Sequence, residues 1–302
     1  MSTNLTDIAS KTLGSSASYA VYTEQFDPSL LNPMPRVLAR EGWGIKGDEF
    51  VGFDTWHCHE ATFLLNNGVP VAGTIKYIYP ADSEFMVESK SAKLYMNSFD
   101  MCKMGDTVDE AIKNYELQIT ADLTNAIGKD VKVKFFPSGT SGLFPLRDYV
   151  DLYDIVSKAK DVNITDYSAS ENHLKFINRS EGGIFIENKY FTNALRSRCR
   201  HTKQKDTGAA YINIITRGVV VDPVSLFKQI ISLREVNEFH EFCAEKLLTS
   251  IKEHKEVVDC VVTLLYSRRG SLDINPTRAT SRHLLPKILG DINVYTEKAM
   301  GQ

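Results

Sequence analysis

One cysteine stands in a strongly basic run, Arg196-Ser197-Arg198-Cys199-Arg200-His201-Thr202-Lys203-Gln204-Lys205-Asp206. Positive charge on near neighbours favours a thiolate, so Cys199 reads as a nucleophile. Asp206, seven residues on, can return across a loop as a proton donor. The same residues also fit a solvated basic loop with an incidental cysteine, since charge runs are commonly plain surface. A second group is Asn237-Glu238-Phe239-His240-Glu241-Phe242-Cys243, in an amphipathic stretch. Neighbouring helical residues point about 100° apart. His240 and Glu241 therefore cannot both lie in the apolar stripe, and one or both can project into a cleft. A carboxylate such as Glu241 suits the N–H edge of a purine-like ring, through two charge-assisted hydrogen bonds. An ordinary solvated helix face is the competing reading.

Two further segments suit anions. Glu88-Ser89-Lys90-Ser91-Ala92-Lys93-Leu94-Tyr95-Met96-Asn97-Ser98-Phe99 places two lysines and two serines within five positions. Lysine offers a point charge to phosphate and serine a donor. The segment is neither a Walker loop nor a G-x-G-x-x-G turn, and an exposed helix start fits it too. Arg268-Arg269-Gly270-Ser271-Leu272-Asp273-Ile274-Asn275-Pro276 pairs arginines with a glycine that allows close backbone approach. An ordinary turn at a strand end is equally compatible. In Trp56-His57-Cys58-His59-Glu60 the histidines share one strand face, and Cys58 and Glu60 the other. With no third ligand evident, no metal is expected there.

These residues need a scaffold. The 302 residues carry 35 Lys+Arg against 38 Asp+Glu, with 43% apolar residues, an ordinary globular composition. The near-neutral charge argues against a dedicated nucleic-acid binder. No apolar run reaches the ~18–20 residues of a membrane helix. Met1-Ser2-Thr3-Asn4-Leu5-Thr6-Asp7 has no basic or apolar leader character, so no secretory signal is expected. The five cysteines include no C-x-x-C pair, which disfavours a disulfide scaffold or structural zinc and fits a reducing, cytoplasmic setting.

Residues 1–45, rich in Ser, Thr and Pro, read as a partly extended arm. Glu49 to Leu65 and Gly68 to Tyr79 are strand-like around the turn signal Asn66-Asn67-Gly68. The stretch from Thr107 to Ile127 has helical spacing, a Thr107/Glu110 capping pair and a stop at Gly128. Val131 to Phe136 alternates as a strand, and the part around Ser89–Phe99 reads as irregular. A polar stretch, 157–173, marks a junction. Beyond it Gly183 to Asn188 and Ala209 to Val220 read as strands. Asp222 and Pro223 then open one long amphipathic helix to Ile251, and Val257 to Tyr266 is a strand. The repeated β-β-α-β order points to tandem duplication of one fold.

Taken together, ESKSAKLYMNSF, the Cys199–Asp206 loop, NEFHEFC and RRGSLDINPTR resemble the segments of the NADPH-dependent 7-cyano-7-deazaguanine reductases, in that family's order from about Asp54 to Arg278. The family's known pattern differs after Trp56, where this chain has His59-Glu60-Ala61-Thr62-Phe63-Leu64, and after Asp206, where Thr207 replaces a usual tryptophan. Residues 137–172 have no clear counterpart. The resemblance implies an α+β fold of two tandem tunnelling-fold modules, antiparallel sheets with helices packed on one face. It implies an arm over 1–45, a first module over 46–165 with the NADPH signature, and a second over 166–302 with the catalytic cysteine.

It also implies roles. Cys199 would attack the nitrile and form a thioimide, Asp206 would act as general acid, and His240 would assist. Val87, Glu88, Ser89, Phe239, His240 and Glu241 would bind the deazaguanine. Ser89, Lys90, Ser91, Lys93, Arg269 and Gly270 would bind NADPH, two of which are used per nitrile. A reversible disulfide between Cys199 and Cys243, a cytoplasmic homodimer, and no nucleic-acid or membrane partner are further expectations. An amidine-forming relative, a non-catalytic purine- or pterin-binding protein and a Cys-His hydrolase are the alternatives, separable by cofactor dependence.

Overall fold

Alternating apolar and polar residues build the centre of the molecule, an eight-stranded sheet that draws strands from both halves of the chain. The structure, a computed structural model, describes residues 25–159, 162–165, 167, 169, 172–179 and 183–298. The first 24 residues of the arm, and parts of the polar junction, lie outside the described residues.

From residue 25 the arm is helical in part rather than simply extended. It passes through a 3-10 turn (Pro28–Leu30), strand β1 (Pro33–Pro35) and helix α1 (Arg36–Trp43). The expected hairpin is β2 (Val51–Leu64) and β3 (Pro70–Pro80), followed by β4 (Phe85–Val87), which pairs with β1. The segment read as irregular is helix α2 (Ser89–Asn97). Its cap is Glu88, whose carboxylate accepts from the Lys90 and Ser91 amides, while Ala92, Tyr95 and Met96 turn into the core. Helix α3 (Val108–Ile127) starts at Thr107, whose hydroxyl accepts from the Glu110 amide. Glu110 reaches back to the Asp106 amide, one residue earlier than a capping box requires. Strand β5 (Lys132–Pro137) closes this part.

Next come β6 (Val150–Asp151), α4 (Leu152–Val156), β7 (Phe176–Asn178), β8 (Phe185–Arg198), β9 (Lys205–Arg217) and β10 (Val219–Val221). The single long helix expected after Asp222 is two helices, α5 (Pro223–Ile231) and α6 (His240–Lys252), separated by a 3-10 turn and an extended segment. The cause is a backbone bond pair. The Arg198 amide donates to Val236 O (2.8 Å) and the Glu238 amide to Arg198 O (3.1 Å). The end of β8 thereby recruits residues 236–238 as a short strand, and helical bonding cannot continue through it. Strands β11 (Val257–Tyr266) and β12 (Leu272–Ala279) and a short helix α7 (Lys287–Gly290) complete the chain.

The sheet order is β5-β3-β2-β12-β11-β9-β8-β6. With the short strands and the short helices α4 and α7 set aside, the second half runs β-β-α-α-β-β and, from β2, the first runs β-β-α-α-β, with two helices where the sequence pattern implies one. The sequence junction does not separate them in space. β12 pairs with β2 along its whole length, and β6, from the nominal first half, pairs with β8. Helices cover one face over two apolar clusters, one around Trp56, Tyr77, Tyr95 and Tyr115, the other around Ile212, Ile230, Leu248 and Val262. Each such side chain, taken from water, contributes roughly 1.5–3 kcal/mol. The opposite face carries a smaller cluster, Leu146, Tyr211, Leu265 and Leu289, beneath loop 138–149 and the C-terminal segment. Among the described residues no helix is long and apolar enough to cross a membrane.

Candidate active site

Cys199 sits one residue past the end of β8, half-buried, at the start of a tight return to β9. Its amide donates to Gln204 O (2.8 Å), and its carbonyl accepts from the Lys203 amide (3.1 Å). Lys203 adopts a left-handed φ of 57° to make this turn. The loop brings Asp206 back beside the cysteine strand, with Asp206 paired in register to Ser197. The basic neighbours are not all loose surface charges. Arg200 is paired with the buried Glu238, and Arg198 with Glu235 at 3.2 Å.

The break between α5 and α6 positions the second group. Because helix α6 begins at His240, His240 and Glu241 lie in its first turn and face the cysteine loop. His240 stacks on Tyr266, ring centroids 3.6 Å apart and 6° from parallel. Its Nε2 is 3.6 Å from Asp206 Oδ2, within ion-pair range though beyond a hydrogen bond. Asp206 is also paired with Arg269, which donates to Gln204 Oε1 at 2.7 Å. Burial pushes the Asp206 carboxyl up, but His240 and Arg269 outweigh it and hold the group below the usual range. Asp206 is therefore a carboxylate in the free protein.

A narrow cavity of about 40 Å³ is lined by Trp56, Val87, Ser89, Cys199, Asp206, Glu238, Phe239, His240 and Glu241, among others. Three of its buried polar atoms, Trp56 Nε1, His240 Nδ1 and Glu241 Oε1, have no hydrogen-bond partner among the described residues. Leaving such groups unmade costs about 1–3 kcal/mol each, so they define what a bound ring must supply. Burial, then the like charge of Asp54, pushes Glu241 up to about 7, against the pull of Arg36 and His240. Behind it lies a fully buried charge cluster: Arg36 to Asp54 (2.5 Å), Arg278 to Asp54 (2.7 Å), and Arg278 and Arg40 to Glu245 (3.1 and 2.8 Å). The arm supplies Arg36 and Arg40 to this cluster through α1.

The cavity opens into a larger groove of about 530 Å³, lined by Ser89, Lys90, Lys93, Asp206, His240, Arg269 and Gly270 among others. Gly270 has a left-handed φ of +56°, which favours glycine, and its lack of a side chain leaves room for Lys93 beside it. A groove with two lysines and an arginine on its wall fits a phosphate-bearing dinucleotide.

Two expected contacts fall elsewhere. Ser91 is buried, its hydroxyl donating to Glu88 O (2.7 Å) and accepting from the Asn32 amide (3.1 Å), so it ties the arm to α2 and does not line the groove. Glu88 spends both carboxylate oxygens on the α2 N-terminus and does not line the cavity. Cys243 is buried, and its thiol, pushed up to about 12 by burial, is free, as is that of Cys199. Conversely, Glu238 and Trp56 line the cavity, and Arg36 and Asp54 act on Glu241. Of these, Glu238 alone carried a signal for this site, as a member of the Asn237–Cys243 segment.

A family model described as "Nitrile reductase, 7-cyano-7-deazaguanine-reductase N-term" matches residues 22–135. A protein of Colwellia psychrerythraea named NADPH-dependent 7-cyano-7-deazaguanine reductase is 31% identical over 287 residues, spanning 92% of this chain and 94% of its own. The chain belongs to this reductase family. Members with the same name in Rickettsia massiliae and Coxiella burnetii are each 34% identical, over 87% and 86% of this chain and 91% and 89% of their own. The reductase match therefore spans both halves, including the cysteine loop and the first turn of α6.

Proposed function

We propose that this oxidoreductase reduces the nitrile of 7-cyano-7-deazaguanine to the aminomethyl group, with two NADPH per nitrile and a covalent thioimide on Cys199. The observation that carries this reading is the convergence of Cys199, Asp206, His240 and Glu241 on one cavity with unpartnered polar atoms, continuous with a cationic groove. When bound, NADPH supplies the hydride for each reduction. Lys90, Lys93 and Arg269 would hold its phosphates, with Ser89 and Gly270 allowing close approach.

The ionised state of Asp206 supports a proton path that begins at the thiol. A carboxylate has no proton to give, so the Cys199 thiol must first pass its proton to Asp206. The sulfur then attacks the nitrile carbon, and Asp206 returns the proton to the nitrogen. One S–C bond forms, one C–N π bond breaks, and the thiol has added across the nitrile. His240, held flat on Tyr266, keeps Asp206 oriented between these events. Glu241 and Trp56 take the polar edge of the deazaguanine, and Phe239 flanks it. A narrow cavity excludes water, which protects an imine from hydrolysis.

The same reading treats the halves as tunnelling-fold modules and the protein as a cytoplasmic homodimer. The decisive experiment follows NADPH absorbance with 7-cyano-7-deazaguanine, with Cys199→Ala alongside. Two NADPH consumed per nitrile, lost in the variant, is the expected result. An adduct without NADPH oxidation would instead favour the amidine-forming chemistry.

A further inference from the structure

We propose that His57, His59 and Asp273 form a site for one divalent transition-metal ion of the zinc class, on the sheet face opposite the cavity. His57 and His59 are two residues apart on β2 and share a face, their rings 5.8 Å apart and 27° from parallel. The register of β12 sets Asp273 directly across from His57. Asp273 Oδ1 lies 2.7 Å from His57 Nδ1, and Oδ2 lies 2.5 Å from His59 Nε2. All three donor atoms fall within 4.8 Å of one another. The third ligand missing from the local sequence is supplied by a strand more than 200 residues away.

Two imidazoles and a carboxylate are the donor set of zinc-class sites. Calcium and magnesium take mostly oxygen. The side chains are 5, 6 and 2% exposed, so little water competes for these donors. Ligating side chains need their outer atoms held as well. Thr296 Oγ1 is 2.9 Å from His57 Nε2, and Asn275 Nδ2 donates to Asp273 Oδ1 at 2.6 Å.

Binding requires a tautomer shift and a small parting of the carboxylate from the two rings, which now touch it at 2.7 and 2.5 Å. Without an ion, the carboxylate only accepts, so both imidazoles must point an N–H at Asp273. With the ion, His57 carries its proton on Nε2, where Thr296 Oγ1 accepts it, and His59 carries its own on Nδ1. A cavity of about 10 Å³ beside Asp273, also lined by Thr296 and Lys298, has room for about one water to complete the coordination. Lys298 lines the same small cavity as His57 and Asp273, so its charge opposes a cation bound there. None of the three ligands serves the reduction. The ion would instead tie β2 to β12 and, through Thr296, to the C-terminal segment.

The test is equilibrium dialysis of tag-free, full-length protein against zinc buffered at micromolar free concentration, with cobalt(II) as the visible-absorbing probe. One equivalent per chain and cobalt d–d bands are expected. Cys199→Ala, which removes the half-buried thiol as a competitor, should keep both. His59→Ala should weaken binding at least ~100-fold, beyond the ~10–100-fold an outer partner costs. Lys298→Met should tighten it several-fold. No retained equivalent in the wild type, which needs no variant to fold, would overturn the site. So would an equivalent that persists in a folded His59→Ala protein, or an affinity indifferent to Lys298.

Discussion

The two faces of β2 and β12 carry opposite kinds of polar chemistry. On the helix side, beside Trp56 and Ile274, the indole N–H, the His240 Nδ1 and a Glu241 oxygen are buried without partners among the described residues. On the other side, one residue away along each strand, Asp273 is bonded to His57, His59 and Asn275. The first face holds polar groups in waiting and the second holds polar groups already paired. The difference separates activity from stability: changes on the first face should reach turnover, and changes on the second should reach the fold.

The contrast can be tested hardest at Cys199. Cys199→Ala should lower kcat by about 10³-fold or more with the melting temperature little changed, measured by NADPH oxidation and calorimetry. Asp206→Asn should cost about 10²–10³-fold in kcat, because the thiol proton loses its route to the nitrile nitrogen. Rapid-mixing absorbance should show adduct formation slowed along with turnover. A variant that forms the adduct at the wild-type rate would remove Asp206 from the first step.

Glu241 sharpens the comparison through pH. Its carboxyl is raised to about 7 in the folded protein, above its ordinary value of 4.5. The folded state therefore holds this proton where the unfolded state has lost it, and stability falls as pH rises from about 4.5 through 7. The size is on the order of 3 kcal/mol. Glu241→Gln should flatten that fall in urea midpoints taken from pH 5 to 8, while weakening substrate binding by about 100-fold. A wild-type profile that rises over this window would break the account.

The smallest effect on turnover belongs to the opposite face. His59→Asn should leave kcat/KM within about 2-fold, yet cost roughly 1–3 kcal/mol of stability by leaving a buried Asp273 oxygen short of a donor. A large loss of activity in a fully folded His59→Asn protein would erase the distinction between the faces.

How far the sequence reached follows the range of the forces involved. Local signals were legible: the Asn66-Asn67-Gly68 turn, the Thr107 and Asp222 caps, and the apolar period of α3. The cationic cysteine loop and His240-Glu241 were legible as chemistry because their residue types cluster in short segments. What was hidden depends on distant pairing. Residues 232–239 contain no proline or glycine, and their apolar spacing continues that of α5. The bonds between Arg198 and residues 236 and 238 hold this stretch extended and keep α5 from running on into α6. Ser91 looked like a phosphate contact, but its direction is set by the arm, through Asn32. Asp273 could not be matched to His57 without knowing that β12 lies beside β2.

That last adjacency has a consequence for how the protein is made. Strand β2 leaves the ribosome more than 200 residues before its neighbour β12. At about 5–20 residues per second, one long edge of β2 stays open for roughly 10–40 s. The nascent first half must spend that time with a row of backbone donors and acceptors exposed to any other strand that passes. Slow, late closure of the central pair is the folding step that high contact order imposes here. It makes the arrival of β12, rather than completion of the first half, the event that closes this central edge of β2.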